Sequence, residues 1–447
     1  MLGPERAKII AGQVLGLSPA DETEVLIQTE DAALTRFANS IIHQNVAEAN
    51  VTVQVRVALG QQVGVASTNR LDDAALRDVV DTALRIARLL PPNPEFPGLP
   101  APQPIPTVNA FVPATAATTP AYRAEAVGTI CRLAVEQGLV AAGAFSTGAY
   151  ELAVANSRGV WAYHPYTRAN LVTVIMSDDS SGWAQRSALD VSAMDTEAAG
   201  REAVDKALRS RHPVAVEPGE YTVILEEYAV VDLIAYLAYM GFSAQAVQEG
   251  RSFMGGHLGE TLVDAQVSIW DDGLDPTGLP LPFDFEGVPK RRVEFFERGV
   301  ARGVVYDSYT AHKEPGQVST GHAMPAGVTW GPQPSNLFMA PGSSSKEEML
   351  RSTQRGLWVT RFHYTNIIHP LKTILTGMTR DGTFLIEGGE IARPVKNLRF
   401  TQNVLEALND VAAIGRETMV LADEYWGATR MPALKIGRFW FSGATEF

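Results

Sequence analysis

Cysteine occurs once in these 447 residues, at Cys131, so neither an intrachain disulfide nor a cysteine-rich zinc module can form. Long apolar runs are missing as well. The best stretch, Tyr228 to Phe242, falls short of the roughly 20 residues that a bilayer requires and carries Asp232, so no membrane span is expected. Positive charge is scarce: 37 Lys and Arg stand against 50 Asp and Glu, a net charge of −13 at pH 7. The densest basic cluster, Lys290-Arg291-Arg292, is too small to hold a phosphate backbone against that field, which excludes direct nucleic-acid binding. No repeat of solenoid or propeller length is visible.

What is present is a folding composition, 46% hydrophobic and 19% charged. Ile9 to Leu17 follows Arg6 and Lys8 in the manner of a weak signal peptide. Gln13 interrupts the run, Glu5 lies in its basic region and no small-x-small cleavage site follows, so an amphipathic first helix and a cytoplasmic location are expected. Strands are read at Glu24–Thr29, Leu34–Ile42 and Val51–Val57, the last from valines at a period of two. A helix opens at Asp72-Asp73, and a second begins at Thr119-Pro120 and buries Cys131 as a core thiol. Between them, residues 91–106 contain eight prolines and can only be an extended surface excursion or linker.

His212-Pro213 and Glu217-Pro218-Gly219 mark the expected boundary between two domains, 1–213 and 214–447. The fold class is α+β. The first domain is expected to be mixed α/β, with a curved sheet and helices. The second should be mostly antiparallel β and barrel-like, containing a strand at Tyr221–Leu225, a helix at Glu227–Met240, a hairpin turning at Arg298-Gly299 and a late helix over Asn403–Gly415.

Generic catalytic templates are absent. No two of the eight histidines sit one helical turn apart around a glutamate, as a zinc peptidase helix requires. A cluster of His312, His322, His363 and His369 with Asp307 is open only through folding. The serine-hydrolase elbow and the P-loop are missing too. Acidic pairs such as Glu226-Glu227 and Asp271-Asp272 read as turn and cap residues. Polar residues on loops between β segments, namely Gln248, Arg251, Ser252, Asp307, Tyr309, Ser319 and His322, form a candidate groove.

Several ordered segments carry a resemblance. They include Arg36-Phe37-Ala38-Asn39-Ser40, Gly64-Val65-Ala66-Ser67-Thr68-Asn69, Gln248-Glu249-Gly250-Arg251-Ser252-Phe253 and Phe283-Asp284-Phe285-Glu286-Gly287-Val288-Pro289. Tyr306-Asp307-Ser308-Tyr309, Ser319-Thr320-Gly321-His322 and Phe384-Leu385-Ile386-Glu387-Gly388-Gly389 continue it along nearly the whole chain. Together they resemble the TldD/PmbA family, once called modulators of DNA gyrase and related to metallopeptidases. The resemblance implies, in catalytic TldD-type members, a helix starting His-Glu-x-x-x-His, a C-terminal cysteine as third ligand, and zinc. Here the matching helix starts Glu226-Glu227-Tyr228-Ala229-Val230-Val231. Only Glu227, at the general-base position, survives, and no cysteine precedes Pro432-Ala433-Leu434-Lys435. No cofactor is therefore expected in this chain. The resemblance is to the PmbA (TldE) type, which implies a non-catalytic subunit of a peptidase assembly, pairing with a TldD-like subunit or with itself and acting on peptides. The alternatives are a self-sufficient homodimeric metal-dependent peptidase with an atypical site, and a peptide-binding structural dimer.

Overall fold

The computed structural model describes residues 1–423 and 427–444. Its first half is a curved antiparallel sheet in the order β3-β2-β1-β4-β5-β6. The strands are β1 (Glu22–Ala38), β2 (Ile41–Leu59), β3 (Gln62–Thr68), β4 (Val140–Asn156), β5 (Trp161–Met176) and β6 (Ser181–Ala188). Val53, Val55 and Val57 are fully buried, as their alternation requires. The two strands expected at Glu24–Thr29 and Leu34–Ile42 are instead the single β1, which ends at Ala38, while Ile41 and Ile42 open β2. Glu30 and Asp31 imitate a loop in the sequence, yet both point to solvent from a strand paired on both sides. The turn is at Asn39 and Ser40, both at positive φ (53° and 58°), the geometry that suits a two-residue hairpin.

Helices α1 (Pro4–Leu17), α2 (Asp73–Leu89), α4 (Pro120–Glu136) and α5 (Thr196–Arg209) cover the sheet, with a short α3 (Pro113–Ala116) between. Asp72, Thr119 and Asp195 cap three of them through bonds to Ala75, Tyr122 and Ala198 N–H. Val25 and Ile27 pack with α1 and α2, and Cys131 of α4 lies in a core with Ile130 and Leu171. Two glycines allow backbone to touch backbone. A Cβ on Gly64 would stand 2.1 Å from the Ala83 carbonyl oxygen, and one on Gly182 would stand 2.1 Å from that of Ala203. The proline-rich segment 91–106 forms neither helix nor strand. It is a strap: Leu99 N–H donates to Glu22 at 2.5 Å, while Glu95 accepts from the Tyr309 hydroxyl at 2.6 Å and meets Lys313 at 3.1 Å.

The second half builds a larger sheet from β7 (Gly219–Leu225), β8 (Ile269–Asp271), β9 (Val293–Glu297), β10 (Val300–Ala301), β11 (Asn336–Met339), β12 (Arg355–His369), β13 (Ile374–Glu387), β14 (Glu390–Pro394), β15 (Leu398–Asn403), β16 (Val411–Asp423) and β17 (Gly427–Ala444). Helix α6 (Glu227–Gly241) is buried among these strands, and α7 (Ala244–Gln248), α8 (Ser308–His312), α9 (Lys346–Arg351) and α10 (Val404–Asn409) are short. The pairings are mostly antiparallel, as expected, and only the barrel-like part of the expectation needs qualification. The sheet is mixed and is not a clean barrel: β7 runs parallel to β12, and β11 runs parallel to β17. The cause is the length of β17, whose first residues serve β11 and β16 while later ones serve β7 and β15. The helix expected over Asn403–Gly415 stops at Asn409. From Val411 the chain becomes β16, because Ile414 pairs with Leu434.

Where the two sheets meet, Phe283 enters an apolar cluster with Leu26, Leu152 and Val154. Arg56 bridges Glu24 at 2.6 Å and Glu286 at 3.2 Å. His164 is 3% exposed and donates from Nε2 to the Pro280 carbonyl at 3.3 Å.

Two outcomes follow from this packing. Gly64→Ala should lower unfolding free energy by about 2 kcal/mol, because α2 must lift off β3. Gly12→Ala, exposed in α1 with open space at its Cβ, should raise it by about 0.5–1 kcal/mol; denaturant titration measures both. For His164, burial lowers the folded pKa to about 4 from 6.5. The unfolded chain therefore takes up the proton first as pH falls through 6.5, and this site favours unfolding by about 2 kcal/mol at pH 5. Burial raises Glu24 from 4.5 to about 7, which acts with the opposite sign over a similar window. The wild type alone thus conceals both effects. The stability difference between wild type and His164→Gln should move against the wild type by about 2 kcal/mol from pH 7.5 to 5, and a pH-independent difference would refute the assignment.

Candidate functional site at the head of helix α6

Strand β7 ends at Leu225, and its direct continuation into α6 delivers Glu226 and Glu227 side by side into the interior, 4% and 3% exposed. Glu226 accepts from Lys206 Nζ at 2.6 Å through Oε2. Its Oε1 accepts from Trp358 Nε1 at 2.6 Å and from the Thr360 hydroxyl at 3.3 Å. Both oxygens of Glu227 accept from Lys346 Nζ, at 3.0 and 2.9 Å. Lys206 also holds Glu202 at 2.6 Å, and Glu202 holds Arg186 at 2.6 Å. Burial works against the charge on each lysine. The carboxylates overcome it, Glu226 and Glu202 raising Lys206, and Glu227 and Glu226 raising Lys346.

The cap role expected for these glutamates is not what the structure has. Glu226 occupies the cap position but makes no side-chain bond to a helix N–H. The two ammonium groups draw the carboxylates away, although the positive end of the helix still favours them there.

This donor set does not fit zinc. Val231, one turn along α6, offers no donor, and Glu226 and Glu227 are already neutralised by ammonium groups in contact with them. The cavity beside Glu227, bounded by Ser344, Lys346, Gly415, Arg416, Glu417 and Ala433, measures about 10 Å³, the lower limit for one water molecule. Nor do the loop histidines assemble. His312 is exposed at the end of α8, His363 and His369 lie along β12, and His322 is buried elsewhere. Among the described residues no three His, Cys, Asp or Glu side chains converge as a metal site.

The residues of the expected groove fall into separate settings. Gln248 of α7 donates to the Thr310 carbonyl at 2.8 Å, next to Asp307, which caps α8 in a reciprocal box with Thr310. Burial and the Glu286 carboxylate raise the Asp307 pKa. Tyr309 is tied to Glu95, and the Ser319 hydroxyl donates to the Tyr306 carbonyl at 3.3 Å. These four residues share one region. Arg251 is exposed and paired with Glu249 at 2.6 Å. Ser252 is buried, donating to the Gly241 carbonyl at 2.7 Å. His322 turns away from the others. It is 1% exposed, donates from Nε2 to Asp271 at 2.8 Å, and lines a cavity between the two sheets. Sequence reading missed Lys206, Lys346, Trp358 and Asp271 as partners. Only Asp271 carried a signal, as half of an acidic pair.

Three family models match the chain: the PmbA/TldA metallopeptidase C-terminal domain over residues 218–443, domain 1 over 23–87 and the central domain over 116–211. The chain belongs to the TldD/PmbA family. The Metalloprotease PmbA of Escherichia coli O157:H7 is 24% identical over 390 residues, 83% of this chain and 82% of that protein. A Metalloprotease of Methanothermobacter thermautotrophicus is 28% identical over 227 residues, 50% of this chain and 49% of that one. Against that archaeal relative the match thus spans about half the length. Among solved structures, TldE from Thermococcus kodakarensis shares the fold with a TM-score of 0.88 at 20% identity, covering 98% of this chain and all of that one. A Thermotoga maritima protein described as a modulator of a DNA gyrase gives 0.87 at 21% identity, with 98% of this chain covered. The fold of these solved structures is therefore retained here, and in this chain lysines close the head of α6.

The lysine pairing is open to a double-mutant test. Lys346→Met strands a buried carboxylate and should cost about 3 kcal/mol. The double variant Lys346→Met with Glu227→Leu should recover most of that loss in chemical denaturation, and strictly additive losses would contradict the pairing.

Proposed function

We propose that this chain is a non-catalytic, TldE-like subunit of a metallopeptidase-type assembly acting on peptides, pairing with a TldD-like subunit that supplies the metal centre. One observation carries the reading: at the place of the family's His-Glu-x-x-x-His helix, the two carboxylates are consumed by Lys206 and Lys346 and Val231 has no ligating atom. A family member able to turn over peptide alone needs an open metal position there. Support also comes from the name TldE borne by the Thermococcus kodakarensis protein of the same fold. In this role the chain contributes wall and contact surface. No helix among the described residues is long and apolar enough to cross a membrane, and the cytoplasm is the compartment that the single thiol suits.

Reconstitution tests the reading. The purified chain, supplied with zinc, should not cleave unfolded casein above a chelator-treated control. Mixed with a TldD-type protein it should co-elute with that protein and change its chelator-sensitive cleavage. Zinc-dependent cleavage by this chain alone would overturn the proposal, as would failure to associate with any TldD-type protein.

A further inference from the structure

Away from α6, the two sheets enclose a cavity of about 220 Å³. Its walls are chiefly apolar: Leu189 comes from the first half, and Leu279, Leu281, Phe285, Met324 and Pro334 come from the second. Two cations reach it. Lys290 is 4% exposed, and its ammonium has one hydrogen-bond acceptor among the described residues, the Ser335 hydroxyl at 2.7 Å. Arg168, on β5 across the cavity wall, lines the same space, and no hydrogen bond or ion pair within the described residues engages its guanidinium.

The acids nearby are already occupied. Asp284 accepts from Glu286 and Val288 N–H through Oδ1 and from Ala323 N–H through Oδ2, each at 2.9 Å. Asp271 accepts from His322 Nε2 at 2.8 Å, from Ser335 N–H at 2.7 Å and from Asn336 N–H at 2.6 Å. Lys290 lies in the field of the Asp271 and Asp284 carboxylates, so the cation left without a partner among the described residues is Arg168, beside apolar walls. A half-buried guanidinium with no acceptor leaves its fork of donors available to an anion that enters the cavity. The volume lies below the roughly 300–1,000 Å³ of pockets that take a whole drug-sized ligand, so it suits the end of a molecule rather than all of it. Phosphate or a nucleotide would waste the apolar walls.

We propose that this cavity binds an apolar amino-acid residue by its terminal α-carboxylate, with Arg168 and Lys290 taking the carboxylate and the leucine, proline and phenylalanine walls taking the side chain. Arg168 supplies a planar fork matched to a carboxylate, and Lys290 adds a point charge at the same cavity. The carboxylate comes either from the last residue of a peptide or from a free N-acylated amino acid, which presents the same chemistry. This inference does not rest on the reading of α6, because it concerns binding by this chain alone.

Isothermal titration of the purified full-length chain tests it with three probes: Ala-Ala-Ala-Leu as the free acid, the same peptide as its C-terminal amide, and N-acetyl-leucine. The acid peptide should bind at least about tenfold more tightly than the amide, and Arg168→Gln should weaken acid binding by about tenfold or more. Arg168 anchors no other described group, so this variant should fold, which thermal unfolding verifies. Tighter binding of the acid peptide than of N-acetyl-leucine assigns the ligand as a peptide end. Equal binding of the two assigns free N-acylated amino acids, and both outcomes support the carboxylate site. Equal affinity for acid and amide, an unchanged affinity in Arg168→Gln, or no binding of any acid up to about 5 mM overturns it. Loss of partner-dependent proteolysis in the reconstitution experiment leaves these readouts untouched, so the two proposals fail separately.

Discussion

Two carboxylates placed next to each other inside a protein must be neutralised, and in this chain two lysines do it. Glu226 and Glu227 leave β7 together at the head of α6, and both are almost fully buried. Lys206 arrives from α5 of the first half, and Lys346 arrives from α9 of the second. The ion pairs thus draw three parts of the chain onto one point and lock the head of α6 against both sheets. A buried ion pair brings little net stability over an apolar replacement, since desolvation offsets most of its attraction. What it brings is specificity, because any arrangement that separates the lysines from the glutamates leaves buried charge uncompensated.

The same principle organises the contact between the two sheets. Arg56 stands between Glu24 and Glu286, so the first sheet and the Phe283–Pro289 turn are joined by one cation serving two acids. Asp284 closes that turn on its own backbone, and Phe283 fills the apolar cluster behind it. The proline strap crosses the junction through Glu95. The segments that make the chain recognisable as a TldD/PmbA relative therefore include the ones that hold its halves together. A resemblance carried by such a turn speaks first for the fold, and the chemistry has to be read at α6.

At α6 the donor chemistry and the space agree. Carboxylates held by ammonium groups, a valine one turn along, and a cavity with room for at most one water leave no open coordination position of the kind a hydrolytic metal uses. At the helix head the two lysines balance the charge of the two carboxylates.

Wherever the pattern was local, the sequence by itself determined the outcome. Alternating valines gave β2, Asp72 and Thr119 gave the starts of α2 and α4, and the apolar run after Glu227 gave α6. The absence of histidine from the α6 motif needed no coordinates either. Tertiary structure alone decided what meets the two carboxylates there, because Lys346 lies 119 positions from Glu227 and Trp358 lies 132 from Glu226, separations over which no periodicity reports. It also decided the late chain. Val411 to Ile414 continues a helical spacing, but pairing with β17 made it a strand, since hydrogen bonding to a long neighbour outweighs a weak local preference. The cavity between the sheets was beyond the reach of sequence for the same reason: Arg168 and Lys290 share its wall only after two separately built sheets have docked.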